Sequence, residues 1–181
     1  KIKSTIDGSL LWLTNSNILD DAKLMDEFRN EVDKALVLKV NPKSDSSFHA
    51  GALVDFFDKS YIKTDNKLIH RLIDEENNGT ICQLLSLSGK PLQINQESYV
   101  QGIVFKMVVP NTPNITHSCN GMINLIKECA KKLNGELVDA GNKKIDDDYI
   151  SKIYSHLKKV EQKMLSKKIN PGSNNALKIF S

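Results

Sequence analysis

The chain has 181 residues, 40% hydrophobic and 26% charged, with 25 Lys and Arg against 22 Asp and Glu for a net charge of +3. This composition excludes a wholly disordered chain, and the longest apolar runs, such as Leu10–Leu13, are too short to span a bilayer. Arg29 and Arg71 are the sole arginines, which weighs against a nucleic-acid reader, because bidentate phosphate and guanine contacts lean on Arg.

Residues 1–33 read as an extension. Ser9-Leu10-Leu11-Trp12-Leu13 is a short apolar island, and Asp20-Asp21 open a helix with Leu24, Met25, Phe28 and Val32 on one stripe. Position 1 is Lys rather than Met, so a preceding segment is expected. Residues 34–166 read as the main domain. Leu36, Leu38 and Val40 alternate with Val37, Lys39 and Asn41, the period of a half-buried strand, and Asn41-Pro42 end it. Ser46 or Ser47 caps a helix whose apolar face is Ala50, Leu53, Val54 and Phe57.

Tyr61–Leu72 and Thr80–Ser88 read as two strands joined by the acidic turn Asp74-Glu75-Glu76-Asn77-Asn78-Gly79. Gly102–Val109 is the strongest strand, with Ile103, Phe105 and Met107 on one side and Val104, Lys106 and Val108 on the other. Thr116 caps a long helix with Cys119, Met122, Ile123, Ile126, Ala130 and Leu133 on its stripe, stopped by Asn134-Gly135. A short strand, Glu136–Asp139, precedes a last helix opened by Asp146-Asp147-Asp148 and carrying Ile150, Ile153, Leu157, Val160 and Met164. Residues 167–181 read as a loose tail. The order β-α-β-β-β-α-β-α predicts an α+β domain with a largely antiparallel sheet and helices on one face.

Catalytic and metal-binding patterns do not emerge. His49, His70, His117 and His156 are scattered without ligand spacing, and there is no GxSxG, P-loop or GxGxxG. Cys82, Cys119 and Cys129 fit neither a metal spacing nor a disulfide framework and point to a reducing setting. Asn78-Gly79-Thr80 and Asn114-Ile115-Thr116 fit the glycosylation pattern, as chance provides in an Asn-rich chain. The expectation is a binding module, not an enzyme, with no cofactor, no metal and no small-molecule substrate.

Several stretches, in order, carry a resemblance. They are Phe48-His49-Ala50-Gly51-Ala52-Leu53-Val54, Leu68-Ile69-His70-Arg71, Gly89-Lys90-Pro91, Gly102-Ile103-Val104-Phe105-Lys106-Met107-Val108-Val109-Pro110 and Asn134-Gly135-Glu136-Leu137-Val138-Asp139. Over 34 to about 164 the chain resembles the C-terminal, FtsZ-binding domain of the ZipA family of bacterial cell-division proteins. The resemblance implies a six-stranded, mostly antiparallel sheet with three helices packed on one face. The other face is left open and holds the C-terminal tail of FtsZ in a shallow apolar groove. It further implies a place at the cytoplasmic face of the inner membrane, through an N-terminal anchor outside these residues, so that the Z-ring is linked to the membrane.

Strand parity then selects the groove: Ala35 and Val37; Asn66 and Leu68; Leu84, Ser86, Ser88 and, at the strand end, Lys90; Val104, Lys106 and Val108. These positions match the groove-lining positions of the family. Better-known members of the family place bulky Phe and Met side chains where Lys106, Asn66 and Ser88 stand here, and each such loss removes about 1.5–3 kcal/mol of burial if the anchor is fully desolvated. The competing class is an RNA-binding-fold-like nucleic-acid module, which presents aromatic side chains on its sheet for base stacking; the outward positions named here include no Phe, Tyr or Trp. The apolar islands Ser9–Leu13 and Ala176-Leu177-Lys178-Ile179-Phe180 are candidates to dock on the same face, with packing of the first against the Leu24–Val32 helix as the alternative.

Overall fold

The computed structural model describes residues 16–43, 47–57, 62–65, 68–74, 79–93 and 99–180, with side chains described over 20–43, 47–57, 80–92 and 99–180. The island Ser9–Leu13 lies outside the described residues. The chain separates into two compact units, residues 1–31 and 32–181. Helix α1 (Ser16–Val32), all but its last residue in the first unit, begins before Asp20-Asp21 and leaves Leu24 and Met25 exposed.

In the second unit the alternating stretch after Lys34 forms β1 (Ala35–Pro42), followed by β2 (Phe48–His49) and α2 (Ala50–Phe57). Then come β3 (Ile62–Asp65), β4 (Leu68–Asp74), β5 (Gly79–Ser86), β6 (Leu92–Gln93), β7 (Tyr99–Val100) and β8 (Ile103–Val108). A 3-10 turn (Val109–Asn111), α3 (Ile115–Lys132), β9 (Gly135–Asp139), α4 (Asp147–Ser166) and α5 (Asn174–Ile179) complete it. The main sheet runs β3-β4-β5-β8-β1-β9, with β6 added to β4, and β2 pairs with β7 separately. Among the described residues every strand pairing in both sheets is antiparallel.

Three expectations change. Among the described residues the sheet has seven strands rather than six, because the two-residue β6 joins it; so short a strand has no period to detect. The single strand expected over Tyr61–Leu72 is the antiparallel pair β3–β4, in which Asp65 faces Leu68. The tail is not loose but forms α5, so the described residues hold five helices, α1 to α5, where the expectation was three. Ser173 Oγ accepts the Ala176 N–H at 3.2 Å and caps α5, and Ala176, Ile169 and Phe180 are buried. The helix packs on the 3-10 turn after β8, where Gly172 N donates to the Pro110 carbonyl at 2.9 Å and Asn111 Nδ2 to that of Phe180 at 3.3 Å. Of the second apolar island, Ala176 and Phe180 are thus taken up by this packing, while Leu177 stays exposed.

The core lies where α3 covers β1, β5, β8 and β9, with α4 packed on α3. Ile103, Phe105 and Met107 alternate inward from β8 and meet Leu38 and Val40 of β1 and Leu84 of β5. The α3 stripe of Cys119, Met122, Ile123, Ile126 and Cys129 closes over them. Burial pushes the Cys119 and Cys129 thiols up to about 12, so both stay protonated and act as small apolar side chains. Asp146 Oδ1 accepts the Tyr149 N–H at 2.8 Å as the N-cap of α4. Thr116 is not the cap of α3; the helix starts from Asn114, whose φ of 45° turns the chain, and Ser118 Oγ donates to the Pro113 carbonyl at 2.6 Å.

Candidate functional site

The inward alternation of Leu38 and Phe105 dictates what the other face displays, because side-chain direction has a period of two. Three cross-strand rows result. Leu85 of β5, Val104 of β8 and Lys39 of β1 form the first, and Gln83, Lys106 and Val37 the second. Val108 and Ala35 form the third. Same-face neighbours along a strand lie about 6–7 Å apart and strands about 5 Å apart, so the rows make a shallow apolar patch with two cations set in it. Val37, Lys39, Leu85, Lys106 and Val108 are half-buried, Ala35 and Gln83 exposed, and Val104 only 9% exposed.

The expected groove residues divide accordingly. Ala35, Val37, Val104, Lys106 and Val108 come together on this face. Leu84 does not: it pairs with Phe105 and is 0% exposed, so it belongs to the core. Ser86 pairs with Ile103 and shares that inward parity. On β5 the residues that share this face are Gln83 and Leu85, one position out of phase with the expected Leu84 and Ser86. Apolar residues occupy both phases of Ile81-Cys82-Gln83-Leu84-Leu85, so periodicity offered no choice; only pairing with β8 made one. Asn66 lies outside the described residues, and so does the Leu68 side chain, whose backbone pairs with Asp65 and Gln93.

Ser86 ends β5, and Ser88 and Lys90 belong to the turn that follows it. Ser86 Oγ and Ser88 Oγ are 2.8 Å apart, Ser86 N donates to the Lys90 carbonyl at 2.8 Å, and Gly89 takes φ 77°, a conformation open to glycine without steric cost. This turn lines a cleft of about 640 Å³ with Leu87, Leu92 and Tyr99 among its walls. Ser88 and Lys90 therefore border the patch rather than floor it.

The two cations differ in their surroundings. Lys39 Nζ donates to Asn142 Oδ1 at 2.9 Å. The turn that presents Asn142 is tied by Asp139, whose Oδ1 accepts the N–H groups of Gly141 and Lys143 at 2.8 Å each and whose Oδ2 accepts the Tyr149 hydroxyl at 3.2 Å. The Lys143 N–H foremost, then the Gly141 N–H and the Tyr149 hydroxyl, hold the Asp139 carboxyl below its usual range against an opposing desolvation. A depressed folded pKa adds stability that is present above the unfolded value and is lost as pH falls through the folded one. Melting temperature followed below about pH 4 should therefore fall more steeply in the native chain than in Asp139→Asn. Lys106, at the centre of the patch, has no carboxylate within ion-pair distance among the described residues.

Among the described residues no three His, Cys, Asp or Glu gather as metal ligands, and no helix is long and apolar enough to cross a membrane. A helix-backed antiparallel sheet showing an apolar, cation-studded face defines an interaction domain of the α+β class. The family model of ZipA, C-terminal FtsZ-binding domain, matches residues 34–156, and the chain belongs to that family. Comparison with curated proteins gave no match.

Proposed function

We propose that this domain binds the C-terminal tail of FtsZ on the sheet face turned away from α3, and that it links the Z-ring to the inner membrane through an anchor outside these residues. The observation that carries the reading is the coincidence of the family match over 34–156 with the apolar rows centred on Val104 and Lys106. The floor of the site is Ala35, Val37, Leu85, Val104, Lys106 and Val108, with Gln83 beside it and Ser88 and Lys90 at the β5 end. Asn66 and Leu68 join it on the strength of the resemblance alone. The role is adaptor rather than enzyme. The described outward residues offer no aromatic side chain on which a base would stack, which favours a peptide over RNA.

The test is titration of the chain with a fluorescent peptide of the last residues of FtsZ from the same organism. A flexible tail must offset its ordering entropy on binding, so saturable binding with Kd of about 1–100 μM is expected. A signal that stays linear to millimolar peptide overturns the reading.

A further inference from the structure

The central cation of the patch specifies the chemistry of what covers it. Lys106 lies mid-strand between Val104 and Val108, opposite Val37 on one side and Gln83 on the other. It is half-buried, and among the described residues no acid pairs with it. Lys39, the other cation of the described rows, is already engaged by Asn142 Oδ1 at 2.9 Å. A ligand that spreads over Val37, Val104 and Val108 takes the surroundings of the Lys106 ammonium out of water. An ammonium desolvated without a counter-charge is strongly disfavoured, whereas a carboxylate placed over it turns that cost into attraction.

Resting on the FtsZ-tail reading, we propose that the face selects an acidic-apolar peptide, with one carboxylate over Lys106 and apolar side chains about 6–7 Å away on either side, over Val104 and Val108. The methylenes of Lys106 lie along the valines and complete the apolar floor, while the charged end reads the acid. The site thus distinguishes acidic tails from neutral ones of equal hydrophobicity. A wholly apolar segment is a poor occupant.

The experiment uses the full chain, the FtsZ tail peptide and the same peptide with each Asp and Glu replaced by Asn and Gln. Lys106→Met should weaken binding of the native peptide about five- to tenfold, as expected for a partly desolvated charge pair, and flatten its dependence on salt. Lys106→Arg should retain most of the affinity. The neutral peptide should bind the native chain as weakly as Lys106→Met binds the acidic one, and Lys106→Met should not tell the two peptides apart. Melting curves should show Lys106→Met folded. Equal or tighter binding of the acidic peptide by Lys106→Met, or equal affinity of the native chain for both peptides, overturns the charge assignment while leaving the tail-binding function standing. Failure of the native chain to bind either peptide overturns both.

Discussion

Replacing Leu84 and Leu85 one at a time should produce opposite outcomes. Leu84 is 0% exposed and faces Phe105 in the core, so Leu84→Ala should lose about 2–5 kcal/mol of stability through lost burial and the cavity left behind. Leu85 faces Val104 on the other side of the sheet. Leu85→Asp should unfold at nearly the native denaturant midpoint, yet weaken FtsZ-tail binding about thirtyfold or more, the loss typical of an anchor position at a binding centre. Urea titration and peptide binding, measured on both variants, separate the two roles. If Leu84→Ala stays stable and Leu85→Asp unfolds, the register of β5 against β8 is one residue away from that described.

Gly172→Val should be the most damaging single change outside the main core. Gly172 takes φ +72°, where a β-branched residue is strained, and a Cβ there would meet the Pro113 backbone nitrogen at 2.5 Å. Backbone at this distance has no flexible end to swing aside, so the contact between the tail and the turn after β8 must open. Strain and lost packing of Phe180 and Ala176 together should cost about 2–4 kcal/mol, or about 5–15 °C in Tm for a domain of this size. Ending the chain after Ser166 should lower Tm in the same direction, since it removes the buried Ile169, Ala176 and Phe180 together. A melt unchanged by either alteration would mean that α5 contributes nothing to the fold.

The parts of this protein that its sequence alone determined are those in which a charged side chain marked one phase of an otherwise apolar pattern. In β8, Ile103, Phe105 and Met107 are buried while Lys106 marks the opposite phase, and in β1 the same holds for Leu38 and Val40 against Lys39. A Lys in one phase identifies that phase as the solvent side before any partner strand is known, because its ammonium resists burial. The stripes of α3 and α4 were legible for the same reason over long spans, and the Asp146-Asp147-Asp148 run signalled the start of α4 through negative charge suited to a helix N-terminus. The order and spacing of the family motifs supplied the binding role.

Tertiary structure decided the rest. In Ile81-Cys82-Gln83-Leu84-Leu85 both phases carry apolar side chains, and a one-residue shift exchanges the faces, so the pairing of Leu84 with Phe105 was needed to move Leu84 inward and bring Leu85 to the outward face. Asp65 turning back on Leu68 split one apparent strand into two. The six residues of α5 are too few for a period, and a helix so short is held by its packing rather than its propensity. Its place follows from Gly172 touching Pro113 and Phe180 joining Asn111, contacts between segments far apart in sequence that no local pattern encodes.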